Sequence, residues 1–200
     1  MFLNTLLDPL FAYLGDIDPY KASHTRPLMA KLRGIAEKYA CTILGVRHPG
    51  KTDQGGRLLY RGQGNMDIIG AARSGLWVQP HPAHPETQTI MLQSKTNVGA
   101  LGRTVVFSRE EGLFAWKGVS RLNESMFTGK GPDPWPLLEA FFWLEERMTP
   151  GVPYRSDQLE KEAKEAEISE RTLKRAKKLL NIHSSKQGEE WFWMLPSLSS

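Results

Sequence analysis

The chain of 200 residues is 40% hydrophobic and 24% charged, with a formal net charge of +4 and one cysteine, Cys41. These values are typical of an ordinary globular protein of one domain or one and a half, and the weak positive charge permits a nucleic-acid partner without requiring one. They exclude a disulfide framework, a membrane span and, because Asp8 and Pro9 interrupt the apolar start, a signal peptide, so we expect a cytoplasmic protein.

A strand, a helix and a second strand are predicted first. Residues 2–7 are mostly apolar and end at Asp8, and P-loop ATPases hold the magnesium ion of their nucleotide with such a carboxylate. The alternative for Asp8 is a plain turn after a strand. A helix is predicted from about Arg26, with Pro27 in its first turn, and it leads through a right-handed crossover into the apolar run 41–46. That run is predicted to be a strand buried on both faces of a parallel sheet. The apolar face of the helix is predicted to comprise Leu28, Leu32, Ile35 and Tyr39.

Cations follow the second predicted strand. Arg47, His48 and Lys51 come soon after it, and open α/β sheets bind ligands beyond the carboxyl ends of their strands, so we predict a phosphate-facing edge here. The polar, glycine-rich stretch 49–65 is predicted to be an exposed, mobile loop. Asn65 at its end can cap a short helix that ends near residue 73.

The middle of the chain is predicted to be largely antiparallel β-structure. Strands are expected at 75–79, 89–94, 103–108 and 113–117, the last two joined as a hairpin. His81 and His84 suggest a metal site between the first two strands, but the three prolines around them favour a turn over zinc.

A change of composition follows residue 117. Residues 118–133 are rich in glycine and proline and are predicted to be a linker. Residues 134–197 are predicted to form three helices, with a three-residue turn before the third, and a terminal β-hairpin. This is the arrangement of a small winged helix-turn-helix domain.

The third helix of this tail begins after Ser169 and carries five cations away from its apolar stripe. Such a helix suits the recognition element of a DNA-binding domain, since cations contact phosphates. The alternatives are a solvated helix face and a protein contact. The candidate DNA-binding residues are Arg171, Lys174, Arg175 and Lys178.

Four separated motifs together resemble a known family. They are Leu-Leu-Asp-Pro-Leu at 6–10, Val-Arg-His-Pro-Gly-Lys at 46–51, Arg-Gly-Gln-Gly at 61–64 leading to Ala-Ala-Arg at 71–73, and Lys-Thr-Asn at 95–97. In this order they resemble the second half of the RecA-like ATPases of plasmids and phages, the RepA-type replicative helicases. The resemblance covers residues 1–117 and implies an α/β fold, namely a partial RecA-like sheet with flanking helices and an antiparallel extension. The winged-helix tail is similar to one fused to phage and plasmid members.

The resemblance also implies roles for single residues. Asp8 matches the Walker B aspartate, which holds magnesium through water, and His48 matches a sensor of the γ-phosphate. Arg73 matches an arginine that reaches the nucleotide of a neighbouring subunit, with a surface cation at a helix end as the alternative. Lys51 and Lys95 are candidate contacts to the nucleotide phosphates. ATP, Mg²⁺ and a homo-oligomer, a hexameric ring in the family, are implied with them.

The sequence departs from the family in one respect. The family carries its Walker A loop, G-x-x-x-x-G-K-S/T, upstream of the Asp8 strand, whereas the one stretch of this sequence that fits the pattern, residues 45–52, follows that strand. The backbone cradle for phosphates is therefore missing from its place in the family order. We therefore expect that this chain alone neither holds ATP tightly nor hydrolyses it, and that it is a fragment, a truncated frame or a piece that needs a partner chain with the missing half. Two main functions remain open: the C-terminal portion of a replication ATPase that binds DNA, or a non-enzymatic DNA-binding regulator whose ATPase-derived part only assembles. A pure oligomerisation piece is a third.

Overall fold

A computed structural model describes residues 3–50, 57–127 and 134–197. The helices are α1 (Ala22–Lys38), α2 (Met66–Ala71), α3 (Trp135–Arg147), α4 (Ser156–Glu165) and α5 (Glu170–Leu179). The strands are β1 (Leu3–Leu7), β2 (Cys41–Gly45), β3 (Ser74–Pro80), β4 (Gln88–Thr96), β5 (Thr104–Glu110), β6 (Leu113–Ser120), β7 (Pro153–Arg155), β8 (His183–Gln187) and β9 (Glu190–Met194). Within the described ranges they form three sheets, with strand orders β1-β2, β3-β4-β5-β6 and β7-β9-β8. The protein is therefore of mixed α/β class, as predicted.

The chain packs as two compact units that interleave along the sequence. The first comprises residues 3–50, 57–78, 91–103 and 127, and the second comprises residues 79–90, 104–126 and 134–197. The predicted tail lies wholly in the second unit. The predicted linker 118–133 overlaps the end of β6, and its residues 128–133 lie outside the described ranges.

The first unit is built on the predicted strand, helix and strand. β1 and β2 are parallel, with Leu6 beside Leu44 and Leu7 beside Gly45, and α1 connects them. A small core covers one face of the pair, built around buried Leu10, Leu14 and Ile68. The parallel crossover that the sequence predicts is thus confirmed.

Burial of the second strand on both faces is wrong. Leu6 and Leu44, neighbours in the register, are 59% and 53% exposed. Side chains alternate across a strand, so only the face that includes Leu7 meets the core. A continuous apolar run therefore did not, in this strand, mean burial on both sides.

α1 begins four residues before the predicted start. It opens at Ala22, so Pro27 lies inside the helix, and Thr25 is fully buried one turn before Leu28. Leu28 and Leu32 pack against the core as predicted, but Ile35 and Tyr39 are exposed. The packed face instead includes Thr25 and Met29, which the apolar pattern alone did not select.

The loop predicted at 49–65 is not wholly exposed. The Gly50 amide donates to the Arg61 carbonyl at 2.7 Å, and the Gln63 amide donates to the His48 carbonyl at 2.9 Å. Leu58, in a short 3₁₀ turn between them, is buried. These contacts fix both ends of the loop, and residues 51–56 lie outside the described ranges.

Local signals elsewhere set the elements as expected. The Asn65 side chain accepts from the Asp67 amide at 2.8 Å and caps α2, which ends at Ala71. β5 and β6 form the predicted hairpin, and Glu111 and Gly112 both have positive φ, as a tight hairpin turn with matching twist requires. All four predicted strands of this region are present with slightly longer bounds.

The tail has its three predicted helices and its terminal hairpin. Ser169 caps α5 by accepting from the Thr172 amide at 3.2 Å, and Asn181 adopts the left-handed conformation (φ 53°) that ends it. The short strand β7, which the sequence analysis missed, pairs with β9. α5 packs against α3 and α4. The buried residues of the tail include Phe141, Leu144, Leu159, Leu173, Leu180 and Trp193.

None of the helices in the described ranges combines the length and the apolar character that crossing a membrane requires.

Candidate functional site

Asp8 and His48 lie at the same edge of the β1-β2 sheet. Asp8 follows β1 by one residue and His48 follows β2 by three. The pairing continues past the strand ends, because the Val46 amide donates to the Leu7 carbonyl at 2.8 Å and the Leu10 amide donates to the Val46 carbonyl at 2.6 Å. Both side chains are exposed. The structure therefore brings these two predicted residues to the carboxyl edge of a parallel pair, where α/β sheets bind ligands.

Arg47, which directly precedes His48, is hydrogen-bonded to residues near the end of the loop 49–65. Its guanidinium donates to the Gln63 carbonyl at 3.0 Å and to the Leu59 carbonyl at 3.4 Å, and burial lowers its pKa. A Cβ on Gly62 would lie 2.4 Å from its Nε, so a glycine at 62 makes room for this side chain. Arg47 thus stabilises the return of the loop, and these contacts do not support its predicted place at a phosphate-facing edge. Lys51, the third cation of that prediction, lies outside the described residues.

Lys95 is directed at the end of α2. Its ammonium group donates to the carbonyls of Ile69, Gly70 and Ala72 at 2.8, 2.6 and 2.6 Å. These acceptors are the last-turn carbonyls that a helix leaves unpaired, and a cation there also suits the helix dipole. All three hydrogens of the ammonium group are donated, so a phosphate contact by Lys95 stays a prediction that this arrangement does not favour.

Arg73 is exposed just beyond α2. Its carbonyl accepts from the Asn97 amide at 2.9 Å, which ties two of the recognised motifs together. The pKa of the Glu37 carboxyl is lowered mainly by a hydrogen bond from Arg33, whose Nε lies 2.8 Å from Glu37 Oε1, and the charge of Arg73 adds to this effect. The accessible guanidinium suits either predicted role, a finger toward a neighbouring subunit or a surface cation.

His81 and His84 form a turn. His81 is only 6% exposed, with its ring 5.3 Å from that of His84 and 5.2 Å from that of Phe142. Its Nδ1 accepts from the Ala83 amide at 3.2 Å. Burial, and secondarily the charge of His84, lowers the pKa of His81 to about 4. Across the described ranges, no three side chains of His, Cys, Asp or Glu come close enough together to hold a metal ion.

The four candidate cations of α5 are exposed as a group. Leu173 and Ala176 point into the core, and the cations occupy the rest of the helix surface: Arg171, Lys174, Arg175 and Lys178. Lys174 also forms an ion pair with Glu170 one turn earlier, which raises its pKa.

The fifth cation of α5 has a different environment. The Lys177 ammonium lies 4.1 Å above the Trp193 ring and 2.5 Å from the Ser184 hydroxyl, and burial lowers its pKa. Lys177 therefore packs α5 against the terminal hairpin, which leaves the other four cations as the solvent-facing group.

One exposed surface was missed by the sequence analysis. The β5-β6 hairpin carries Phe107, Phe114 and Trp116 on one side, together with Arg109. The alternation of aromatic residues on either side of the turn could have indicated it, because every second residue of a strand shares a face.

No family model, curated protein or solved structure matches this chain.

Proposed function

We propose that the chain binds double-stranded DNA through residues 134–197, which we interpret as a winged helix-turn-helix domain with α5 as its recognition helix. Support comes from the order of elements, α3-β7-α4-α5-β8-β9, and from the four residues that separate α4 from α5. Two helices joined by a tight turn are typical of the DNA-binding helix-turn-helix, whose second helix lies in the major groove.

The observation that carries the proposal is the exposed charge of α5. Four cations share the solvent-facing surface of a helix whose opposite side is anchored in the core. The fold therefore presents them together on a rigid element, and each can replace a counterion on a DNA phosphate. The carboxylate of Glu170 offsets part of this charge near the start of the helix.

The salt dependence of binding to a duplex of about 20 base pairs tests the proposal, since each phosphate contact adds about 0.9 to the slope of log K against log salt concentration. We expect the combined change Lys174→Gln and Arg175→Gln to weaken binding and to lower the slope by about two. The matched control is Lys161→Gln with Lys164→Gln, which removes the same charge from exposed positions on α4. An equal slope for both double variants would show a mere effect of net charge, and the proposal would fail.

A second proposal concerns the first unit, because Asp8 and His48 share the carboxyl edge of a parallel sheet. We propose that the chain is the C-terminal portion of a replication-type ATPase, with Asp8 placed to hold Mg²⁺ through water once a partner chain completes the site. Mg²⁺ held there would neutralise the charge of the ATP phosphates during hydrolysis, and Arg73 would complete the site of a neighbouring subunit in an oligomer. The non-enzymatic regulator remains its alternative.

Nucleotide assays on the purified chain separate these two. We expect no ATP hydrolysis by the chain alone, because the family's Walker A loop precedes the Asp8 strand and the one stretch that fits the pattern here, residues 45–52, follows it. Magnesium-dependent hydrolysis that is abolished by Asp8→Ala would contradict this expectation. Weak magnesium-dependent nucleotide binding that Asp8→Ala removes would favour the ATPase portion. Equal nucleotide binding by the wild type and Asp8→Ala would favour the regulator.

A further inference from the structure

The β5-β6 hairpin has an exposed aromatic face, which we define as Phe107, Arg109, Phe114 and Trp116. Phe107 is paired with Trp116, and Arg109 with Phe114, across the two antiparallel strands. Side chains that are directly paired project from the same side of a sheet. Phe114 and Trp116 are 54% and 63% exposed. Two exposed rings, the half-buried ring of Phe107 and one guanidinium therefore share one side of the hairpin.

The other side of β5 makes the contacts with the interior. Thr104, Val106 and Ser108 are buried and alternate with the residues of the aromatic face. The aromatic face thus lies on the side of β5 that is opposite to its buried residues. Contiguous exposed rings mark interaction sites more often than single exposed apolar residues do.

The rings of the aromatic face contact the indole at steep angles. The Phe114 and Trp116 centroids lie 4.8 Å apart with an interplanar angle of 88°, and the Phe107 and Trp116 centroids lie 5.9 Å apart at 75°. Neither phenyl ring therefore stacks face to face on the indole. Edge contacts of this kind favour one orientation of the indole, and a ring that is already oriented loses less entropy when a flat ligand binds.

The charge of the aromatic face is positive. Arg109 is exposed and takes part in no ion pair among the described residues. Glu110 alternates with Arg109 along β5, so its carboxylate belongs to the opposite side of the strand. A register shift between Val106 and Phe107 leaves Lys117, beside Trp116, as an extra cation without a strand partner.

We propose that the aromatic face binds single-stranded nucleic acid. Unpaired bases stack on Phe114 and Trp116, and Arg109 contacts a phosphate of the same strand. Flat rings beside a cation are the recurrent means of binding single strands, because every base has an aromatic face and every linkage has a charge. Bases in a duplex are already stacked on each other, so this surface has a different ligand from that of α5.

Binding of the full chain to a fluorescently labelled thymidine oligonucleotide of about 20 residues tests the proposal, measured by anisotropy over a range of salt concentrations. We expect Trp116→Ala to weaken binding at least about tenfold. Arg109→Gln should lower the salt slope by about 0.7, the value for one phosphate of a single strand. The matched control is Tyr20→Ala, which removes an equally exposed ring from the other unit and should leave the affinity unchanged.

Two further variants keep the outcome clear. Phe114→Leu retains apolar bulk but removes a ring, so it should also weaken binding even if Trp116→Ala fails to fold. The α5 double variant should retain single-strand affinity while it loses duplex affinity, which separates this proposal from that for α5. Failure of the whole chain to bind the oligonucleotide would overturn the proposal. It would also be overturned if Trp116→Ala dissociated an oligomer and left single-strand affinity unchanged, since the surface would then be a protein interface.

Discussion

At the scale of single residues, His81 has an unusual position for a titratable side chain. It is buried between His84 and Phe142, and its Nδ1 is an acceptor, so the neutral ring is the form that the fold accommodates. Its pKa in the folded chain is about 4, below the ordinary 6.5. Protonation therefore favours the unfolded chain as the pH falls.

This difference predicts a pH-dependent stability. His81 should contribute its full stabilisation above pH 6.5, and that contribution should be lost between about pH 6.5 and pH 4, by at most about 3.5 kcal/mol at roughly 1.4 kcal/mol per pKa unit. Chemical denaturation at several pH values measures it. His81→Asn retains an acceptor without a titration and should flatten this part of the curve, whereas exposed His183→Asn should not. Parallel curves for the wild type and His81→Asn would contradict the interpretation.

At the scale of elements, α2 depends on a side chain that is distant in sequence. The helix has only six residues, too few for independent stability, and three of its final carbonyls are bonded to Lys95 on β4. Leaving one of these half-buried carbonyls unpaired would destabilise the folded chain.

Lys95→Met keeps the apolar stem and removes the donors. We expect it to lower the free energy of unfolding by about 1–3 kcal/mol, because charge-assisted hydrogen bonds are lost and their carbonyls remain. Urea denaturation measures the change, with Lys31→Met on the exposed side of α1 as the control. Unchanged stability would contradict this role and would favour another one for Lys95, such as contact with a phosphate.

The elements also show which parts of the fold were predictable. Caps and turns depend on neighbours in the chain, so Asn65, Ser169, Asn181 and the Glu111-Gly112 turn were predicted correctly. Burial depends on what packs against an element from elsewhere in the chain. The sequence could not reveal that the β1-β2 pair is covered on one face only, and Leu44 was therefore misjudged.

In the candidate sites, too, features set by nearby sequence were predictable and contacts between distant residues were not. Parallel pairing of β1 with β2 was predictable, and it alone brings Asp8 and His48 to one edge. Separating Lys177 from the other cations of α5 required the position of Trp193, a contact across the tail. The hydrogen bonds of Arg47 and Lys95 with backbone carbonyls likewise had no signal in the local sequence.

At the scale of the whole molecule, contact with DNA is common to both main candidate functions. The replication ATPase and the regulator differ in what the first unit does, and each uses the tail to bind a duplex. Both candidate functions therefore depend first on α5, where exposed Lys174 and Lys178 should approach phosphates while Lys161 and Lys164 of α4 remain in solvent.

The most direct test is to acylate the lysines of the full chain with and without a duplex, and to quantify each position by mass spectrometry. We expect DNA to protect Lys174 and Lys178, and we expect Lys161 and Lys164 to react equally in both samples. Protection that is absent from α5, or equal on α4 and α5, would contradict the assignment of α5 as the duplex-binding helix.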